Sequence, residues 1–219
     1  MELRPYQEEA KTAIFEQWGS GNARTLLVLP TGCGKTIVFA KVTEECVREG
    51  ERVLILAHRG ELLQQAADKI AKTTGLGCAT EKAGQSCLGS WFRVVVGSVQ
   101  TMMRESRLRQ FDAGYFNTII IDEAHHCITD SYQNILKHFY KAKVLGVTAT
   151  PDRGDMKNLG SVFQSLAYEY TLQRAIKEGY LTPIRAQTIP LRLDLSRVGI
   201  QGGKYRTAEK QQKASQPFF

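Results

Sequence analysis

No apolar run in this sequence is long enough to cross a membrane, and the opening residues, MELRPYQEEA, carry charge of both signs rather than a signal peptide. A membrane partner is therefore not expected. No C-x-x-C pair occurs, and the cysteine count is odd, five in all. That argues against a disulfide framework or a zinc site and for reduced thiols in a cytoplasmic protein. No internal repeat is apparent, which excludes solenoids and arrays. What is present is ordinary for a soluble globular chain: 219 residues, 42% hydrophobic and 23% charged. This is enough for one well-cored domain and short for two. The net charge of +7 is compatible with a polyanionic partner without requiring one.

Five short segments rich in Val, Ile and Leu read as strands: TLLVL (25–29), RVLILA (52–57), RVVVG (93–97), TIIID (118–122) and VLGVT (144–148). Their lack of polar alternation suits strands buried on both faces, as in a parallel sheet. Helices are expected between them at 35–48, 60–72, 99–103 and 131–140. An opening helix is marked by Ala10, Ala13, Ile14 and Phe15. Strands alternating with helices predict an α/β domain, a mostly parallel central sheet with helices on both faces. Residues 1–190 are assigned to this domain, and 191–219 to an exit segment and a flexible basic tail. In the last 19 residues Lys204, Arg206, Lys210 and Lys213 outweigh Glu209 for a local +3. Nucleic acid would attract such a tail, and solvation alone also explains it.

The first strand runs into LPTGCGKT (29–36) and then a helix. Gly32 and Gly34 let the backbone turn its N–H groups toward a phosphate. Lys35 reaches the β/γ-phosphates and the Thr36 hydroxyl ligates Mg²⁺. Leu29 stands where the pattern usually opens with Gly or Ala. The strand ending at Asp122 is expected beside this loop, because ligands of parallel sheets bind at the carboxyl ends of strands. Asp122 would organise Mg²⁺, and Glu123 would orient or deprotonate an attacking water.

These segments together resemble the first RecA-like domain of superfamily 2 helicases and translocases of the DEAH/DExH type. LPTGCGKT is similar to their motif I, DEAH (122–125) to motif II and TAT (148–150) to motif III. AHRGELLQQ (57–65) and GSVQT (97–101) resemble the nucleic-acid motifs, and LRPYQ (3–7) the adenine-reading motif. The nearest branch holds repair-type and phage DNA helicases and restriction-enzyme motors.

The resemblance implies a P-loop NTPase binding ATP and Mg²⁺. Its nucleotide site would comprise Arg4, Gln7, Pro30, Thr31, Gly32, Cys33, Gly34, Lys35 and Thr36. Catalysis would rest on Lys35, Asp122, Glu123 and His125, with Thr36 and Asp122 as metal ligands. Gln7 would bond the adenine edge. Arg4 or Tyr6 either stacks near the base or serves helix start and packing. Cys33 merely fills a variable loop position, and His126 is a neighbouring polar residue. Thr148 and Thr150 would relay nucleotide state. Arg59, Ser98, Gln100 and Thr101 would face the sugar–phosphate backbone of a nucleic acid, DNA before RNA.

After Thr150 there is no second strand–loop–helix series and no Q-x-x-G-R-x-x-R run. The second RecA-like domain, with its arginine finger, is absent from the sequence. The chain is thus expected to be a shortened or prematurely ended product, or to take its partner domain from a separate polypeptide or larger complex. Alone it should hydrolyse ATP slowly. The alternatives are a nucleotide-dependent nucleic-acid-binding module that no longer hydrolyses, and the motor fragment of a restriction enzyme.

Overall fold

The computed structural model describes residues 2–57, 60–149, 158–183, 200–201 and 204–205. The chain divides into two compact units, Met1–Thr182 and Pro183–Phe219.

The first unit opens with α1 (Pro5–Gly19), which starts where Pro5 takes the N1 position after an extended Arg4. Tyr6, Ala10, Ile14 and Trp18 recur every four residues and form its buried stripe. There follow β1 (Arg24–Val28), α2 (Lys35–Arg48), β2 (Val53–Ala57), α3 (Gly60–Thr74), β3 (Cys78–Glu81) and β4 (Val94–Ser98). Two single-turn helices, α4 (Val99–Met102) and α5 (Glu105–Leu108), lead to β5 (Thr118–Asp122). A 3-10 turn (Ala124–Ile128), α6 (Asp130–His138), β6 (Lys143–Thr148), β7 (Ser165–Glu169) and α7 (Leu172–Lys177) complete the unit. In the second unit β8 (Ile200–Gln201) pairs antiparallel with β9 (Lys204–Tyr205).

The seven strands of the first unit form one sheet, ordered β3-β4-β2-β5-β6-β1-β7, and every neighbouring pair is parallel. Alternate side chains feed two cores. Leu27, Val53, Ile55, Val94, Val96, Ile120, Leu145 and Val147 face one side, where α1, α2 and α3 pack. Leu26, Val28, Leu54, Leu56, Val95, Ile119, Ile121 and Val144 face the other, against α6 and the surrounding loops. Each such side chain contributes about 1.5–3 kcal/mol on burial. The unbroken apolar runs seen in the sequence are the consequence, since neither face of an inner strand meets water.

Two expectations need correction, and two strands were not anticipated. The strand of Asp122 does not adjoin the strand of the phosphate loop: β6 lies between β5 and β1. Strands β3 and β7 had no expectation. They are the two edges, and CATE and SLAYE are too mixed in polarity to show the buried-strand pattern. Helix ends shift by up to two residues, as at α3, which runs to Thr74, and α6, which stops at His138.

Candidate nucleotide site

The loop after β1 is shaped by two left-handed glycines, Gly32 at φ +90° and Gly34 at φ +77°. An L side chain is strained at both angles. At Gly34 there is also no room: a Cβ would stand 2.5 Å from Gln7 Nε2. Gly34 is the N-cap of α2, so the helix N-terminus opens at this loop.

Gln7 is buried, and its amide is committed to backbone. Its Oε1 accepts from the Arg4 amide at 3.0 Å, and its Nε2 donates to the Cys33 carbonyl at 3.0 Å. The Tyr6 hydroxyl donates to the same carbonyl at 3.0 Å. Cys33 was read as filling a variable position; its side chain is buried and its carbonyl anchors the loop to α1. Burial pushes the Cys33 thiol upward, so it stays protonated. Of the two open roles for Tyr6, the geometry gives packing, since its ring stacks on Tyr170 at 4.2 Å and 3°. Lys35 is half-buried, with Nζ 3.5 Å from the Leu29 carbonyl. Pro30 is buried, while Thr31 and Gly32 are exposed.

Asp122 ends β5. Its Oδ1 accepts from the Glu123 amide at 3.0 Å. Burial, then the neighbouring Glu123 charge, holds its carboxyl above the ordinary value, against the pull of Lys35 and Lys69. Glu123 has φ +54°, the only left-handed non-glycine among the described residues. This turn swings its carboxylate toward His125, whose Nδ1 lies 3.4 Å from Glu123 Oε2 and 3.5 Å from Thr148 Oγ1. The His126 ring sits 4.1 Å from that of His125. Thr148, buried at the end of β6, also bonds the phosphate loop, because its carbonyl accepts from the Leu29 amide at 3.1 Å. The intervening strand therefore joins the end that carries the acids to the start of the glycine loop.

A cavity of about 430 Å³ lies at these strand ends, lined by Thr36, Asp122, Glu123, His125 and His126. Gln65 and Lys69, one turn apart on α3, complete its wall. Gln65 closes the segment that resembles a nucleic-acid motif, yet here it lines the cavity, and sequence reasoning passed over Lys69; the i,i+4 spacing directly after a strand end was the available signal.

The proposed nucleic-acid residues separate. Ser98 and Thr101 are each 5% exposed, and the Ser98 hydroxyl donates to Gln100 Oε1 at 2.8 Å. Gln100 is exposed. Arg59 and Thr150 lie outside the described residues. Among the described residues no helix is long and apolar enough to cross a membrane.

Residues 1–153 match the family model described as type III restriction enzyme, res subunit. The protein named as ATP-dependent helicase IRC3 in Saccharomyces cerevisiae is 34% identical over 90% of this chain and 30% of its own length. The type I restriction enzyme EcoAI endonuclease subunit of Escherichia coli is 27% identical over 88% of this chain and 25% of its own. The chain thus spans about a third or less of these curated relatives. Among solved structures, the UvsW helicase of bacteriophage T4 superposes with a TM-score of 0.60 at 22% identity, covering 76% of this chain and 60% of that one. With the parallel sheet, the glycine loop at the head of α2 and the acids ending β5, this chain belongs to the type III restriction enzyme res-subunit family and has a RecA-like fold.

Proposed function

We propose that this unit binds and hydrolyses ATP as one half of a DNA-directed superfamily 2 motor. The observation that carries the reading is the cavity gathering Thr36 from the head of α2 with Asp122, Glu123 and His125 from the end of β5. Backbone N–H groups of the glycine loop and Lys35 would receive the β/γ-phosphates. The left-handed glycines support this, since only a loop without side chains there lets backbone approach phosphate closely.

The donors present suit a hard cation. Thr36 and Asp122 both line the cavity and offer oxygen donors. That matches Mg²⁺, which keeps waters and substrate phosphates among its ligands. Bound there, it would supply charge neutralisation to the phosphates. Glu123 is the candidate base for the attacking water, held by its left-handed turn and by His125. His125 and Thr148 form a path from that carboxylate to the end of β6. Thr150, the next residue but one, would continue it.

A second RecA-like domain would supply the arginine finger, and Arg59 and Gln100 would lie on the DNA path. DNA is favoured by relatives named as restriction enzymes, and by a restriction enzyme solved with a DNA substrate mimic that shares this fold. The family description also favours the motor of a restriction system as the setting. The free thiols suit a cytoplasmic location.

Calorimetric titration of Mg·ATP into wild type and Lys35→Ala tests the core of the proposal. Lys35 contributes charge rather than packing, so the variant should keep its fold and lose measurable binding. Equal affinities would remove the phosphate-loop assignment.

A further inference from the structure

Tyr180 belongs to no motif, yet the fold brings it to the nucleotide loop. Beyond α7 the chain makes a fixed turn. Gly179 has φ +77°, and the amides of Tyr180 and Leu181 both donate to the Ala175 carbonyl, at 2.9 and 3.1 Å. Ala175 is fully buried, so the turn is pinned to the core. It delivers two side chains to the site. Leu181 Cδ2 lies 3.1 Å from where a Cβ would stand on Gly32. The half-buried Tyr180 ring meets the Tyr6 ring at 4.8 Å and 65°, and carries the Arg4 guanidinium carbon 5.0 Å from its centroid. Arg4 is held a second time, as its Nη1 donates to the Tyr6 hydroxyl at 3.4 Å. That hydroxyl in turn donates to the Cys33 carbonyl of the loop. An exposed arginine is thus fixed at the rim of the loop that presents Gly32 and Gly34.

We propose that Tyr180 is a positioning residue for the base of the bound nucleotide. It stacks one side of the Arg4 guanidinium and fixes the plane against whose other side a purine ring lies. A guanidinium is planar and stacks on aromatic rings from either side, which an ammonium does not. An unrestrained arginine would lose rotamer freedom when the base arrives; here Tyr180 imposes that loss on folding instead. The inference rests on the nucleotide-site reading above.

Calorimetry on the full chain with ADP and with tripolyphosphate, both with Mg²⁺, separates the two. Tyr180→Leu should weaken ADP about threefold to tenfold, the range of an aromatic–cation contact. It should leave tripolyphosphate unchanged, and Tyr180→Phe should restore ADP. In an Arg4→Ala background, Tyr180→Leu should cost nothing more, because the tyrosine acts through the arginine. Equal losses for both ligands would mean a structural effect on the loop and overturn the inference. So would additive losses, or intact ADP affinity in Tyr180→Leu. Should that variant fail to fold, Arg4→Lys carries the test: it keeps the charge, loses the plane, and must lose ADP affinity while sparing tripolyphosphate. Failure of wild type to bind either ligand would overturn the nucleotide reading itself, and this inference with it.

Discussion

The Gln7 side-chain amide donates to the Cys33 carbonyl at 3.0 Å, tying the first turn of α1 to a loop 26 residues away. A buried glutamine here fastens the phosphate loop before any nucleotide arrives.

Gln7→Ala should therefore act on stability as well as on binding. It removes two hydrogen bonds, to Arg4 and Cys33, at a cost of about 1–2 kcal/mol. For a chain of this size that lowers Tm by about 2–8 °C. A thermal melt without nucleotide is the measurement. An unchanged Tm would show that the amide's only work is with the base.

Glu123 pays a conformational cost for its place in the site. Its φ of +54° costs an L residue about 1–2 kcal/mol, and glycine escapes it. Glu123→Gly should hold or raise Tm, by up to about 1 kcal/mol in stability after the entropy of the unfolded chain is counted. Glu123→Gln keeps the shape and removes the base. Both variants should lose hydrolysis by roughly 10²-fold or more. Undiminished hydrolysis in Glu123→Gln would exclude it as the base, and a lowered Tm in Glu123→Gly would show the strain is not there.

Asp122 predicts a pH dependence whose sign can be worked out. Its folded pKa is raised by burial, so ionising it weakens the fold. The penalty is absent below the ordinary value of 3.8, grows as pH rises through the raised folded value, and is complete above it. Asp122→Asn keeps the acceptor for the Glu123 amide and carries no charge. Without Mg²⁺ it should melt above wild type at pH 7, and the gap should close as pH falls toward 4. Melting curves at the two pH values decide it; a variant less stable at pH 7 would show that the carboxylate is stabilised by its lysines after all.

Gly146 on β6 faces the Phe163 ring, whose Cζ lies 2.3 Å from where a Cβ would be. Phe163 is buried and has little room to withdraw. Gly146→Ala should cost about 1–3 kcal/mol by overpacking. Urea unfolding would read this as a lowered midpoint at constant slope. An unchanged midpoint would mean that the ring repacks freely.

The glycine loop between strand and helix and the acids ending an apolar run were legible in the sequence, because each depends on local order alone. The inner strands were legible because Ile119, Ile120 and Ile121 in succession leave no face for water. Strand order was not. Nothing local to residues 118–122 says that β6, rather than the phosphate-loop strand, will be its neighbour. The burial of Ser98 and Thr101 was equally hidden, since hydroxyls do not mark the side they face. Nor was Tyr180, whose part depends on a turn built 148 residues after Gly32 and on a stack with residues at the chain start.

Strand β6 is bonded along its length to β5 on one side and to β1 on the other. Its amides donate alternately to the two neighbours, Lys143 to the Asn117 carbonyl on the β5 side and Val144 to the Ala23 carbonyl on the β1 side, and an amide in so buried a ladder exchanges with solvent only on global unfolding of the unit. Amide protons retained at Leu145 and Gly146, one for each ladder, are thus a clock for the whole unit. Because the same strand carries the acidic end through one ladder and the phosphate loop through the other, neither end of the site should show an earlier time on that clock than the rest of the inner sheet.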